Sequence, residues 1–292
     1  MRRIIFQILI LFCGVKIQAQ PEITPAPEKL DSLIQNVLGD DEEISKLLNP
    51  PSYYLYSGLT CDSKTFFAGR ELGSDMLSLT GSIYLFHSGG LFLGATGAWY
   101  SDLDPRYSTT ILTAGIRKYL DSKNRLSLSA SYNRYFFNNV DTLSSIVYDN
   151  SIGAGLTLRN NWIGARLVFN AMFGKKLGTN LSPAVFANVT LARYGTSGRL
   201  FLAPEISSYI GTETVLSEST LNINDTASAV FVADDKYGLL NTQIYLPLGA
   251  YIGNFNLEIG YSLNLPLTQD NSARYPVSSF FSFSIGFLLP LN

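Results

Sequence analysis

Alternation with a period of two runs through this chain from about residue 53 to its end, in segments of roughly ten to fourteen residues. Leu257, Ile259, Tyr261, Leu263 and Leu265 interleave with Asn256, Glu258, Gly260, Ser262 and Asn264, so a strand here has one apolar face and one polar face. In water the apolar face needs a second layer to cover it. If the strands close into a ring whose apolar face meets lipid, no second layer is required, because every backbone group pairs with a neighbouring strand. Two architectures remain, a covered soluble β-protein and a transmembrane barrel.

Arg2 and Arg3 precede an apolar stretch from Ile4 to Val15, and Ala19 offers a small residue for cleavage before Gln20. Residues 1–19 therefore read as a secretory signal peptide, too short for a spanning helix. Cys13 lies in that segment, behind a Phe12 too bulky for a lipoprotein cleavage box, so Cys61 is the one thiol of the mature chain and no internal disulfide is available. The sequence carries 21 basic and 23 acidic residues; removing Arg2, Arg3 and Lys16 with the signal leaves 18 against 23, a charge of −5 that argues against a nucleic-acid partner. Charged residues make up 15% and aromatics 13%, against about 25% charge in typical soluble domains. That is little charge for a large wet surface.

Residues 20–51 differ in pattern from the rest of the mature chain. Leu30, Leu33, Ile34, Val37 and Leu38 fall at helical spacing after Pro27, Gly39 ends the pattern, and a second short helix is expected over 41–48 with Asp41, Glu42 and Glu43 at its positive end. This helical leader is read either as a surface helix on the barrel rim or as a plug or docking element. From residue 52 to 292 the pattern predicts about twelve strands, near 52–67, 75–86, 91–100, 107–120, 125–137, 146–158, 162–173, 181–194, 199–210, 237–251, 255–267 and 279–291. The connections sort by parity. Those at 87–90, 121–124, 159–161, 195–198 and 252–254 are short and rich in Gly, Asn and Ser, while those at 68–74, 101–106, 138–145, 174–180, 211–236 and 268–278 are longer and more polar. Short turns on one side and long loops on the other mark an outer-membrane barrel; a Greek-key sandwich has no reason to sort its loops this way. An even strand number then puts both termini in the periplasm.

Tyr53, Tyr54, Trp99, Tyr100, Tyr119, Tyr135, Phe136, Trp162, Phe173, Tyr194, Tyr209 and Tyr251 cluster near the expected strand ends and are read as interfacial girdles. The last strand sets Phe281, Phe283, Ile285, Phe287, Leu289 and Leu291 on one face against Ser282, Ser284 and Gly286 on the other. It resembles the C-terminal insertion signal of outer-membrane barrels read by the barrel-assembly machinery, although the chain ends Pro290, Leu291, Asn292 without an aromatic. Together with SKTFFAGRELG at 63–73 and YLFHSGGLFLGATGAWYS at 84–101, the mature chain resembles the small, uncharacterised outer-membrane barrels of Bacteroidota. That resemblance implies an integral outer-membrane protein and supplies no catalytic residues.

Chemistry is bounded by inventory. The sole histidine, His87, sits next to Ser88 in an expected two-glycine turn with no third member for a nucleophile triad, and no thiol- or histidine-rich metal set exists, so neither an enzyme nor a cofactor is expected. Alternation aims Arg117, Arg166, Glu205 and Glu258 into the lumen, with Asn133, Asn170, Asn188, Asn241, Gln243 and Asn256. Buried charges there must be paired or hydrated. Two readings stand: a constriction of opposed acidic and basic groups that selects a polar solute, or a network that closes a narrow barrel. About twelve strands fall between side-chain-filled barrels of eight and open porins of sixteen or more. The stretch 211–236, with Glu213, Glu218, Asp225, Asp234 and Asp235, is expected as a hairpin standing above the membrane. The expectation is an all-β transmembrane antiparallel up-and-down barrel of about twelve strands in the outer membrane, porin-like and passing small polar solutes or ions. The alternative is a closed structural, adhesion or assembly barrel that binds partners through the leader or the long loop.

Overall fold

The computed structural model describes residues 53–67, 70–71, 76–102, 106–138, 148–195, 198–223, 226–267 and 275–291, with the backbone alone for 66–67, 70–71 and 213–235. The expected signal peptide (1–19) and helical leader (20–51) lie outside the described residues.

Twelve antiparallel strands close into a ring, each next to its neighbours in sequence. They are β1 (Tyr53–Asp62), β2 (Ser78–His87), β3 (Leu91–Tyr100), β4 (Tyr107–Tyr119), β5 (Leu126–Phe137), β6 (Tyr148–Arg159), β7 (Ile163–Gly174), β8 (Leu177–Ala187, continued after Asn188 by Val189–Tyr194), β9 (Gly198–Leu202, continued by Glu205–Ile223), β10 (Thr226–Ile252), β11 (Phe255–Pro266) and β12 (Ser278–Leu291). Closure is between first and last: Tyr53 to Asp62 pair with Leu291 to Ser282. A closed ring leaves no unpaired edge, so backbone polarity is satisfied without a second layer.

The face that points out is apolar. Leu59, Ile83, Leu93, Leu112, Leu128, Ile152, Leu167, Ile206 and Ile259 are all exposed there, while the intervening positions are buried or half-buried. A ten-residue strand at ~3.4 Å per residue, tilted about 40°, rises ~26 Å, close to the ~25 Å apolar band of a membrane barrel. Cys61 lies on this outer face of β1 opposite Phe283. On β12, Phe281, Phe283 and Leu289 are exposed outside while Ser282 and Gly286 face in, as the sequence pattern predicts.

The girdle expectation is corrected by half. Tyr53 is 52% exposed, and Trp162, Tyr194 and Phe136 are likewise outside, with Trp99 and Phe173 on the outer parity. Tyr54, Tyr100, Tyr135 and Tyr209 are buried inside the ring, and Tyr119 and Tyr251 share the inner parity. Period two forbids adjacent residues such as Tyr53 and Tyr54 from facing the same solvent. Phe255 completes an exposed ring at the short-turn end; Tyr107, Tyr132, Tyr237 and Phe281 form one at the other.

One expected loop is absent as a loop, and the longest is the hairpin expected of it. The connection placed at 174–180 is only Lys175 and Lys176, because β8 begins at Leu177 and pairs with β7 from Leu177–Phe173 onward. The stretch 211–236 continues β9 and β10 upward, in register to Ile223–Thr226, as a two-stranded ribbon standing above the rest of the ring. Gly90, Gly195 and Gly253 occupy positive φ (91°, 60° and 61°) in three of the short turns, where glycine carries no Cβ penalty.

Candidate functional site

The inner wall is the site this fold offers. One sector of it is filled: Tyr54, Tyr56, Tyr84, Phe86, Phe92, Ile111 and Tyr135, from β1 to β5, form a buried cluster with Phe137 and Leu288 packed against it. Such rings fit because the neighbouring strand supplies a glycine. A Cβ on Gly94 would lie 2.1 Å from the Tyr84 ring, one on Gly115 would lie 2.3 Å from Phe92, and Tyr56 covers both Gly58 and Gly286. The Tyr84 hydroxyl is tied to Thr96 Oγ1 at 3.0 Å.

A polar belt continues round the ring. Thr113 donates to Asn133 Oδ1 (2.8 Å), Asn133 Nδ2 donates to Ser151 (3.0 Å), and Tyr135 Oη shares Ser151 at 3.1 Å. Asn170 Nδ2 donates to Asn180 Oδ1 (3.0 Å), and Asn241 Nδ2 to Asn264 Oδ1 (3.2 Å). The second amide pair retains a buried acceptor, Asn241 Oδ1, and a buried donor, Asn264 Nδ2, that have no hydrogen-bond partner. These bonds run between side chains of adjacent strands, so they stitch the wall rather than cross the lumen.

The charged residues come together differently from the opposed constriction of the sequence reading. Arg166 Nη2 donates to Glu205 Oε1 at 2.9 Å, reaching from β7 to β9 over β8, with the guanidinium 5.8 Å from the Phe186 ring. Glu258 is not opposed to a base in this way; it accepts from Tyr245 Oη at 2.6 Å, and that hydroxyl is 3.2 Å from Ser282 Oγ. Arg117 stands apart on β4, where Nε and Nη2 donate to Ser127 Oγ at 3.3 and 3.2 Å and its guanidinium is 5.5 Å from the Tyr119 ring. Asn133, Asn170 and Asn241 are buried in the belt; Gln243 and Asn256 share the inner parity and are half-buried, and Asn188 sits at the break in β8 with its N–H on Trp162 O (2.9 Å).

Among the described residues, Arg159, Arg199 and Asp62 are inward charges outside the sequence reading. Arg159 falls on the face of Gly155 and Thr157, Arg199 packs 4.9 and 5.2 Å from the rings of Phe201 and Tyr251, and Asp62 accepts from Ser78 Oγ at 3.0 Å. Counting by twos along each strand finds all three. His87 ends β2, with Nδ1 accepting the Gly89 N–H at 3.0 Å and its ring 4.9 Å from Tyr53, a turn-closing arrangement. Among the described residues no group of three or more His, Cys, Asp or Glu side chains is placed to hold a metal ion.

No protein-family model and no curated protein sequence matches this chain. Among solved structures it is similar to the KdgM porin (9% identity, 80% of this chain and 98% of that one, TM-score 0.47) and to the NanC porin (8%, 80% and 98%, 0.43). The translocator domain of the autotransporter NalP from Neisseria meningitidis is also similar (14%, 89% and 97%, 0.38). With identities this low and every TM-score below 0.5, the architecture rests on the strand register of the chain itself.

Proposed function

We propose that this chain is an integral outer-membrane barrel through which small polar solutes or ions pass passively, without turnover chemistry. The observation that carries the proposal is the inversion of an ordinary protein: an apolar exposed exterior around an interior lined by Arg117, Arg166, Glu205, Glu258, Asn241 and Gln243. Only lipid accommodates such an exterior without a second layer. On this reading the bilayer is the main partner, insertion proceeds through the barrel-assembly machinery, the short turns and both termini face the periplasm, and residues 20–51 form a periplasmic leader. The likeness to Bacteroidota barrels stands on residues 63–73 and 84–101.

The test is single-channel conductance of the refolded mature chain in a planar bilayer, with Glu205→Gln and Glu258→Gln alongside. Steady conductance altered by either variant supports an open lumen lined by these carboxylates. An inserted but silent barrel refutes passage and favours the second reading, a closed barrel serving partners, for which the packed sector of aromatic residues already argues.

A further inference from the structure

Charge is divided unevenly along the chain. From 20 to 51 there are seven acidic residues against two basic, four of the acids being consecutive at Asp40, Asp41, Glu42 and Glu43, while from 52 to 292 sixteen of each sign balance. The whole charge of the mature chain, −5, therefore resides in the leader.

The short-turn rim has the opposite sign. In those turns and the two residues flanking each, the one carboxylate among the described residues is Asp121, already bonded to Arg125 Nε (3.5 Å) and to the N–H groups of Arg125 and Leu126. Lys118, Lys123 and Arg193 are exposed there and have no carboxylate partner among the described residues. Lys118 shares the outer face with Ile116, where phosphates of lipid headgroups reach it. Headgroups do not account for the other two: Lys123 sits in the β4–β5 turn beyond both strands, and Arg193 pairs with Arg199 and so shares the inner face of Phe201.

The leader is tethered at this same rim. Tyr53, where β1 begins, pairs with His87 and Leu291 at the short-turn end. Twelve strands ~4.8 Å apart and tilted about 40° enclose a ring ~24 Å across. Glu43 is ten residues before Tyr53, a reach of ~33 Å if extended and ~24 Å if 43–48 is helical. The acidic run can therefore reach every part of the rim.

We infer that the leader docks on the short-turn rim, with the run at 40–43 on Lys123 and Arg125 of the β4–β5 turn. The occupant is a segment of the same chain, held by opposite charge at the high effective concentration that a short tether provides. The inference does not depend on passage through the lumen.

Spin labels at Ser45→Cys and Ser122→Cys, in a mature chain carrying Cys61→Ser, test it by dipolar distance measurement in phosphatidylcholine and in phosphatidylglycerol vesicles. The expected result in both is one narrow distribution, shorter than the ~24 Å width of the ring. Lys118→Glu/Lys123→Glu/Arg193→Glu is expected to broaden it, and Asp41→Lys/Glu42→Lys/Glu43→Lys in the same chain to narrow it again. In the unsubstituted chain, carbodiimide, which joins a carboxylate to an adjacent amine, is expected to link Lys123 to a carboxylate at 40–43. A broad distribution in both lipids without that link, or a narrow one that ignores charge reversal, overturns the inference. A distribution that is narrow in phosphatidylcholine and broad in phosphatidylglycerol assigns the rim to headgroup phosphates and overturns it as well.

Discussion

Replacing Ile259 by arginine distinguishes a wall facing lipid from a wall facing water. Ile259 is 58% exposed on the outer face of β11, between Leu248 and Phe283. It lies four residues along the strand from Phe255 in the short-turn girdle. At ~3.4 Å per residue and about 40° of tilt, that is ~10 Å above the girdle, close to the middle of an apolar band ~25 Å tall. A guanidinium at that depth costs about 2–4 kcal/mol, or roughly 30- to 900-fold in the folding equilibrium. The same substitution at an exposed site in a water-soluble protein changes stability by less than about 0.5 kcal/mol. Val277, equally exposed but just outside β12, provides the internal reference, with an expected cost of about 0–1 kcal/mol at the rim. The assay is reversible unfolding by guanidinium chloride in phospholipid vesicles, followed by Trp99 and Trp162 fluorescence and by heat-modifiable gel mobility, with the denaturant slope required to stay constant. If Ile259→Arg costs no more than Val277→Arg, the outer face does not meet lipid and the membrane reading fails.

Three further outcomes rest on individual contacts. Gly94→Ala places a methyl group 2.1 Å from a Tyr84 ring that is 1% exposed and tied to Thr96, so unfolding measurements should show a loss of about 1–3 kcal/mol. A loss under about 0.5 kcal/mol means that the ring has room to move. Glu205→Gln removes the partner of a guanidinium that is 13% exposed, and an expected cost of about 1–3 kcal/mol should shrink in an Arg166→Met background; equal costs in both backgrounds would deny the coupling. Asp121, in the β4–β5 turn, accepts the N–H groups of Leu126 and Arg125 at 2.8 and 2.7 Å, and these bonds, the Leu126 one foremost, hold its carboxyl below the ordinary aspartate range. A depressed carboxylate stabilises the fold above its unfolded-state pKa and loses that contribution as pH falls through its folded value, so the wild-type advantage over Asp121→Asn should vanish on acidification. An advantage that is constant from neutral to acid pH contradicts this.

Much of the architecture is legible in the sequence for a simple reason. A barrel wall is two-faced at every residue, and alternation records the two faces directly, as on β11 and β12. Strand number emerges because glycine-rich turns punctuate the pattern at 87–90 and 252–254, and the structure retains both as tight turns. Reading fails where the period has nothing to act on. The stretch 174–180 is polar and resembles a loop, yet pairing with β7 draws Leu177 to Asn180 into a strand. For Tyr54, Tyr100 and Tyr135, closeness to a strand end suggests a girdle, but parity overrides position and turns all three inward.

Amphipathic strands, about twelve of them, with Arg117, Arg166, Glu205 and Glu258 on the polar face, follow from the residue pattern alone, because side-chain direction in a strand depends only on counting by two. Tertiary structure alone decided which of these groups meet. Arg166 finds Glu205 across an intervening strand, and Glu258 finds Tyr245, because ring closure and stagger bring together residues whose separation along the chain carries no trace of their contact. It also decided where the lumen is packed: glycines on one strand accept rings from the next only once register sets them side by side, so the buried aromatic residues of β1 to β5 gather in one sector.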